Sequence, residues 1–277
     1  MTDNQKPVVF IHSISSDIGI AMAQRYQRDG FTVAGTYRSR ALLHQLQPIP
    51  ASQLFYCDLL DRESQRQSLA EFADTGLRWD TYISCASIPT PLTKFFECDF
   101  DEFKESIHVN AVEQLRFLHG LFPYRNNAIK SDIVFWGGPG INGAVSNFSA
   151  LTVAKLMLLK FCELLNLEYQ FINAFILGPG WTKTKAHNVI LQHKDVSAEK
   201  FAETKHFLEN ESGTSMDDIY SCLRWLCDQG RAVAGGRNFS VVHDHWGTAE
   251  LKEELLNDPD MYKLRRNRNN WKDRDNG

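Results

Sequence analysis

Short apolar runs alternate along the chain with longer segments in which apolar residues recur every three or four positions. Short apolar runs are typical of strands buried on both faces, and the longer repeat is typical of amphipathic helices. The runs predict seven strands, at residues 8–11, 31–35, 53–56, 81–85, 132–136, 171–176 and 240–242. The longer pattern predicts helices that include residues 18–28, 103–121 and 149–165.

This alternation predicts an α/β fold of the Rossmann type: a doubly wound, mostly parallel seven-stranded sheet with helices on both faces. The carboxyl ends of its strands then lie along one edge, where ligands bind. We interpret residues 1–246 as one such domain and residues 247–277 as a charged C-terminal extension. Residues 248–256 fit a short amphipathic helix, and we expect the rest to be a disordered tail or an arm on another subunit.

Composition narrows the functional classes. The chain has 277 residues, of which 43% are hydrophobic and 23% charged, and its net charge is −4. Nucleic acid and an anionic membrane surface are therefore not expected as partners, and the short basic run at 263–268 does not change this. No apolar run is long enough to span a bilayer, and the first residues lack a secretory layout. Six scattered cysteines without CxxC spacing favour a cytoplasmic protein without a metal site.

A serine-rich turn joins the first strand to the first helix. It places backbone N–H groups and a helix N-terminus at the sheet edge, where they favour an anion such as a pyrophosphate. Ser13, Ser15 and Ser16 are small and carry hydroxyl donors, and Gly19 permits close packing of helix on strand.

This turn resembles the T-G-x-x-x-G-I-G turn of the short-chain dehydrogenase/reductase family. Ile18 and Gly19 keep its Ile-Gly end. His12 and Ser13 stand where the family has Thr-Gly, and Asp17 replaces its middle glycine. Ser13 must therefore adopt a backbone conformation that suits glycine. The resemblance spans residues 7–246.

Further positions of the resemblance imply a nicotinamide dinucleotide site. The second strand is followed by Arg38 and Arg40, and basic residues there suit the extra phosphate of NADP, so we expect NADP(H) rather than NAD(H). Asp58 matches the aspartate that contacts the adenine edge, and Thr184 matches a threonine that touches the nicotinamide carboxamide. The implied cofactor residues are Ser13, Ser15, Ser16, Asp17, Ile18, Gly19, Arg38, Asp58, Ala86, Lys155, Pro179, Gly180 and Thr184.

The family's catalytic set is only half present. Asn110 and Lys155 match its asparagine and lysine. Leu151 stands four residues before the lysine, where the proton-donating tyrosine is expected, and Gly138 stands in place of the serine. A leucine cannot exchange a proton. A related branch places its tyrosine seven residues before the lysine, but here that residue is Phe148.

Three functions remain open. The first is an NADP(H)-dependent oxidoreductase acting on a carbonyl or alcohol with an altered proton supply, from Lys155, Ser149, Thr152, His12 or a water held by Asn110. The second is a catalytically inactive nucleotide-binding sensor or scaffold. The third is a non-redox enzyme on the same fold.

The resemblance also implies a substrate lid and a subunit interface. Residues 186–211 correspond to the family's variable substrate lid, and we interpret its histidines, at 187, 193 and 206, as solvated. The family's usual association through its long helices implies a homodimer or homotetramer. The apolar residues expected at that interface are Phe117, Leu118, Leu121, Leu156, Leu159 and Phe161.

Overall fold

The computed structural model describes residues 6–193 and 196–266. Each of the seven predicted strands is present. The strands are β1 (Val8–His12), β2 (Thr32–Tyr37), β3 (Leu54–Tyr56), β4 (Thr81–Ser84), β5 (Ser131–Trp136), β6 (Ile172–Gly178) and β7 (Asn238–Ser240).

These strands form one sheet in the order β3-β2-β1-β4-β5-β6-β7. Each neighbouring pair is parallel, so the predicted Rossmann-type sheet is confirmed. The strand order reverses between β1 and β4. Ligands of open parallel sheets bind at the carboxyl edge of such a switch point.

Helices cover both faces of the sheet. Successive residues of each strand point to opposite sides, and since these residues are apolar, both faces need a covering layer. The helices are α1 (Asp17–Arg28), α2 (Arg62–Asp74), α3 (Phe100–Ile107), α4 (Glu113–Leu121), α5 (Ser149–Glu168), α6 (Lys185–Gln192), α7 (Ala198–Asn210), α8 (Met216–Gln229), α9 (Arg231–Ala234) and α10 (Ala249–Asn257). On β1, Val9 and Ile11 pack with α1, α8, α9 and α10, whereas Val8 and Phe10 pack with α2, α4 and α5. None of the helices in the described residues is both long and apolar enough to cross a bilayer.

Two predicted elements have different bounds. The helix expected at 103–121 begins at Phe100 and contains a π-helical turn, His108–Val112, between α3 and α4. The last strand ends at Ser240 instead of Val242, because residues 240–244 form a turn whose hydrogen bonds engage Ser240. The Ser240 N–H donates to the Asp244 carboxylate at 2.7 Å, and the Ser240 hydroxyl accepts from the Val242 and His243 N–H groups.

The short helix expected at 248–256 is present as α10, whereas the free tail or arm expected after it is wrong for residues 258–266, which pack on the domain. Leu251 and Leu255 of α10 are buried in the core. The buried guanidinium of Arg237 donates to five carbonyls, among them those of Leu255 and Asp258 at 2.5 and 3.0 Å. Arg265 pairs with Glu163 of α5. Residues 267–277, which include the end of the basic run, lie outside the described residues.

The apolar side chains expected at a subunit interface pack within the chain instead. Phe117, Leu118, Leu121 and Leu159 are buried, and Leu156 and Phe161 pack against the same core cluster. A different stripe of α5 is exposed, formed by Val153, Met157, Leu164 and Leu167.

Candidate active site

Two neighbouring cavities lie along the carboxyl edge of the sheet, and both are lined by Ser87 after β4. The reaction cavity, as we name the larger one, has a volume of about 400 Å³ and lies between the ends of β5 and β6, the start of α5, and the lid helices α6 and α7. The nucleotide cavity has a volume of about 210 Å³ and lies beside the turn after β1. Together they extend along this edge from the switch point between β1 and β4 to the ends of β5 and β6.

The turn after β1 keeps a glycine-like geometry. Ser13 adopts the left-handed conformation, with φ of 58°, and its N–H donates to the Thr36 hydroxyl at 3.1 Å. Ser16 caps α1, because its Oγ accepts from the Gly19 N–H at 3.0 Å. A Cβ at Gly19 would lie 2.7 Å from the Ser13 carbonyl oxygen, so only glycine allows this close packing. The sequence change at Ser13 therefore leaves the helix N-terminus open to an anion.

Asp17 ties this turn to the lid. Its carboxylate accepts from the Lys185 backbone N–H at 2.7 Å, and the Lys185 ammonium lies 3.9 Å away. Asp17 lines neither cavity, and neither does Gly19. The replacement of the family's middle glycine thus gives the first turn of α1 a direct link to the start of α6.

Most of the residues expected to hold the cofactor line the two cavities. Arg38 is exposed at the rim of the nucleotide cavity, and Arg40 does not line it. The Asp58 carboxylate accepts from the Leu60 N–H at 3.0 Å. The nucleotide cavity is lined by Ser13, Ser15, Ser16, Arg38, Asp58 and Ala86. The reaction cavity is lined by Ile18, Lys155, Pro179, Gly180 and Thr184.

These residues fit a dinucleotide. Small hydroxyl side chains and the α1 N-terminus adjoin one cavity, as a pyrophosphate requires. Arg38 and Asp58 line the same cavity, and their side chains fit a ribose phosphate and an adenine. The lining of the reaction cavity is mostly apolar, which suits a nicotinamide ring.

Lys155 lies in the reaction cavity. Its side chain is 3% exposed, and burial lowers the pKa of its ammonium group to about 8. The Cys85 thiol is its neighbour, and it stays protonated because burial raises its pKa to about 12. A Cβ at Gly138 would lie 3.4 Å from Lys155 Cγ, which is ordinary contact, so the backbone here does not require glycine.

Leu151 lies one helical turn before the lysine and lines the same cavity. It is 6% exposed and packs with Leu92, Phe148 and Ile190 in a small apolar cluster under the lid. Apolar contacts therefore occupy the position from which a phenol would act.

The other residues named as stand-in proton donors do not line the reaction cavity. His12 is buried against Phe117, with ring centroids 4.3 Å apart, and burial lowers its pKa to about 3. Thr152 donates its hydroxyl to the Pro139 carbonyl at 3.0 Å. Ser149 is half-buried at the start of α5, outside the cavity lining. Lys155 is the stand-in that the cavity contains.

Asn110 has a supporting position. It lies in the π-helical turn and is fully buried. Its amide accepts from the Ile88 N–H at 3.0 Å and donates to the Ile88 carbonyl at 2.9 Å and to Ser106 Oγ at 3.1 Å. These bonds fix the segment after β4, which lines the nucleotide cavity. A water held by this amide is therefore a poor candidate for the proton source.

The lid contributes groups that sequence reasoning missed. His187 lines the reaction cavity, so its interpretation as a solvated histidine is wrong, whereas His206 is exposed as expected. The His187 ring stacks on Trp181 with centroids 5.7 Å apart, and burial lowers its pKa. Lys200 of α7 lines the same cavity. Only the folding of α6 and α7 over the sheet brings these residues together.

Comparison with known proteins identifies the fold. Residues 14–242 match a family model described as enoyl-(acyl carrier protein) reductase. A short-chain dehydrogenase/reductase from Saccharomyces cerevisiae has 19% sequence identity and a TM-score of 0.76, over 89% of this chain and 98% of that chain. Another from Shigella flexneri 2a, complexed with NADP, has 19% identity and a TM-score of 0.71, over 86% and 97%.

The ligand-free aldohexose dehydrogenase of Thermoplasma acidophilum is 16% identical, with a TM-score of 0.68 over 88% of this chain and 97% of that chain. A comparison with curated proteins gave no match. The family model covers most of the sequence, and the structural matches share the seven-stranded fold. The chain therefore belongs to the short-chain dehydrogenase/reductase family.

Proposed function

We propose that the protein is an NADP(H)-dependent reductase of a carbonyl compound, in which Lys155 supplies the proton that a tyrosine supplies elsewhere in the family. The observation that carries this proposal is the buried Lys155 amine in the reaction cavity, with its pKa lowered to about 8. A general acid works best when its pKa lies near the working pH. At pH 7 this amine is mostly protonated, yet it gives up its proton more readily than an exposed lysine.

The reaction divides between the cofactor and the chain. A bound NADPH, held by the residues of the two cavities, would supply the hydride that the carbonyl carbon accepts. Lys155 donates a proton to the carbonyl oxygen, so the substrate becomes an alcohol and the lysine becomes a neutral amine that regains a proton from solvent. Leu151 and Ile190 keep water from the apolar side of the cavity, and Asn110 holds the segment after β4 in place.

Preference for NADP(H) follows from Arg38. This side chain lies at the rim of the nucleotide cavity, where its guanidinium can bind a ribose phosphate with two parallel hydrogen bonds. Asp58, which follows β3, is the acidic residue among the described residues that line the same cavity.

A catalytically inactive nucleotide-binding sensor or scaffold is the second candidate. The packing of Leu151 among Leu92, Phe148 and Ile190 favours it, because that cluster fills the tyrosine's position with side chains that cannot transfer a proton. Such a protein would bind NADP(H) through the same turn and would have no turnover.

We also propose that the protein is cytoplasmic and forms a homodimer or homotetramer. The exposed stripe of α5 is the surface that we assign to the interface. Its members, Val153, Met157, Leu164 and Leu167, lie at helical spacing and are each more than a third exposed.

The deciding experiment is NADPH oxidation by the purified protein with a panel of aldehydes and ketones. The reductase hypothesis expects turnover that falls as the pH rises through about 8, and that Lys155→Ala abolishes. Lys160→Ala, on the same helix but half-exposed, is the matched control. Cofactor binding without turnover would favour the sensor.

A further inference from the structure

One wall of the reaction cavity is formed by the lid and carries a fixed cation. The Lys200 ammonium lies 4.6 Å from the Trp181 ring centroid and 5.4 Å from the Phe148 ring centroid. These cation–π contacts hold it at the cavity. Its side chain is only 21% exposed, and it donates to Glu203 at 2.7 Å on the solvent side. Since an ammonium group has three donors, others remain for an occupant of the cavity.

The ionisable groups of this cavity are all basic. Among the described residues that line it, they are Lys155, His187 and Lys200, and no aspartate or glutamate is present. Glu203 is 53% exposed and lies outside the lining. Glu203 neutralises Lys200 only from the solvent side, and no acidic side chain in the described lining faces the cavity, so the cavity attracts an occupant with a negative charge.

The remaining surface of the cavity is apolar. Its lining includes Phe148, Leu151, Ile190 and Trp181. An occupant that contacts both lysines and the apolar lining would have three parts. It would place a reacting carbonyl near Lys155, an aromatic or aliphatic body against the apolar side chains, and an anionic group near Lys200 of the lid.

We propose that the substrate is an acidic carbonyl compound, an oxo acid with an aromatic or aliphatic body, whose carboxylate is bound by Lys200. This assignment of substrate class rests on the proposed reductase function. Lys200 is here a specificity residue, and Lys155 remains the group at the reacting oxygen.

The cofactor's own phosphates are a competing source of negative charge. The α1 N-terminus and its serines line the other cavity, together with Lys185, and Lys200 does not line it. Lys185 is therefore the lid lysine on the cofactor side, whereas Lys200 adjoins Phe148 at the start of α5. If Lys200 bound a cofactor phosphate, its substitution would weaken NADPH binding. If it binds the substrate carboxylate, the same substitution should leave NADPH affinity unchanged.

The experiment is calorimetric titration of the full-length protein, with and without NADP⁺, using 4-oxo-4-phenylbutanoate and its neutral amide as probes. The acid should bind about tenfold or more tightly than the amide, as a charge-assisted hydrogen bond predicts. Lys200→Met should remove most of that preference and leave the amide's Kd within about twofold, and Lys200→Arg should restore it. Lys205→Met is the matched control, since Lys205 is an exposed lysine on α7 that also pairs with a glutamate.

Three results would overturn the assignment. The first is equal affinity for acid and amide, or no binding of the acid at millimolar concentration. The second is a Lys200→Met variant that weakens both probes alike, which would make Lys200 a support of the lid wall. The third is a loss of NADPH affinity in that variant with the acid unaffected. The titration measures binding and does not depend on turnover. A protein that prefers the acid but has no reductase activity would therefore refute the reductase proposal and leave the assignment of Lys200 standing.

Discussion

Lys155 should destabilise the folded protein at neutral pH. Its side chain is 3% exposed, and within residues 6–193 and 196–266 no hydrogen bond to its ammonium group is found. Burial lowers its pKa from 10.5 to about 8, and this difference corresponds to about 3 kcal/mol against the charged form. An apolar side chain of similar length would avoid that penalty.

We therefore predict that Lys155→Met raises the free energy of unfolding by about 3 kcal/mol at pH 7. The folded-state pKa is lower than the unfolded one, so the unfolded chain binds more protons between about pH 8 and 10.5. Wild-type stability should rise with pH across this window. The advantage of the methionine variant should shrink over the same window and disappear above it.

Urea unfolding at pH 7, 9 and 10.5 measures the effect, and thermal unfolding at pH 7 should show a rise in Tm of roughly 6–12 °C. Lys160→Met is the matched control, because that lysine is on the same helix but 43% exposed and paired with Glu163. A methionine variant that is less stable at pH 7, or a gain that does not decline with pH, would refute the reasoning.

Three further predictions concern other parts of the chain. Leu151→Tyr restores a phenol one helical turn before Lys155 and should raise NADPH-dependent turnover by roughly 10²-fold or more, which Leu151→Phe should not do. Burial raises the pKa of Asp132 to about 6, so its stabilisation is complete below pH 3.8 and is lost as the pH rises through 6. Asp132→Asn should therefore be more stable than wild type at pH 8, by about 3 kcal/mol in urea unfolding, and equally stable near pH 3.5. Arg237→Met leaves five carbonyls without their donor and should cost roughly 2–4 kcal/mol, measured by thermal unfolding; an unchanged Tm would contradict this.

The sheet could be predicted from sequence because its strands are buried on both faces. A continuous apolar run such as Val8–Ile11 has few alternatives in a chain of this length. The cofactor turn could also be predicted, since Ile18 and Gly19 keep the spacing of a known motif. The glycine-like conformation that the motif requires of Ser13 is present, at positive φ, and the Ser13 N–H donates to the Thr36 hydroxyl.

The lid and the C-terminal residues could not be predicted for a different reason. His187 and Lys200 are polar residues on separate helices, and only the packing of those helices makes them neighbours in the reaction cavity. Residues 258–266 contain few apolar side chains. One buried cation, Arg237, binds their backbone through carbonyl groups, and no periodic pattern in the sequence reports such bonds.

We propose that the serine-rich turn and Arg38 bind NADP(H). The most direct test is fluorescence titration of the purified protein with NADPH and NADH at physiological salt. We predict a micromolar Kd for NADPH, weaker binding of NADH, and a loss of roughly 10-fold or more in NADPH affinity in Arg38→Ala. If neither nucleotide binds, the proposed cofactor site is contradicted, because the turn at Ser13 would then not accept a pyrophosphate.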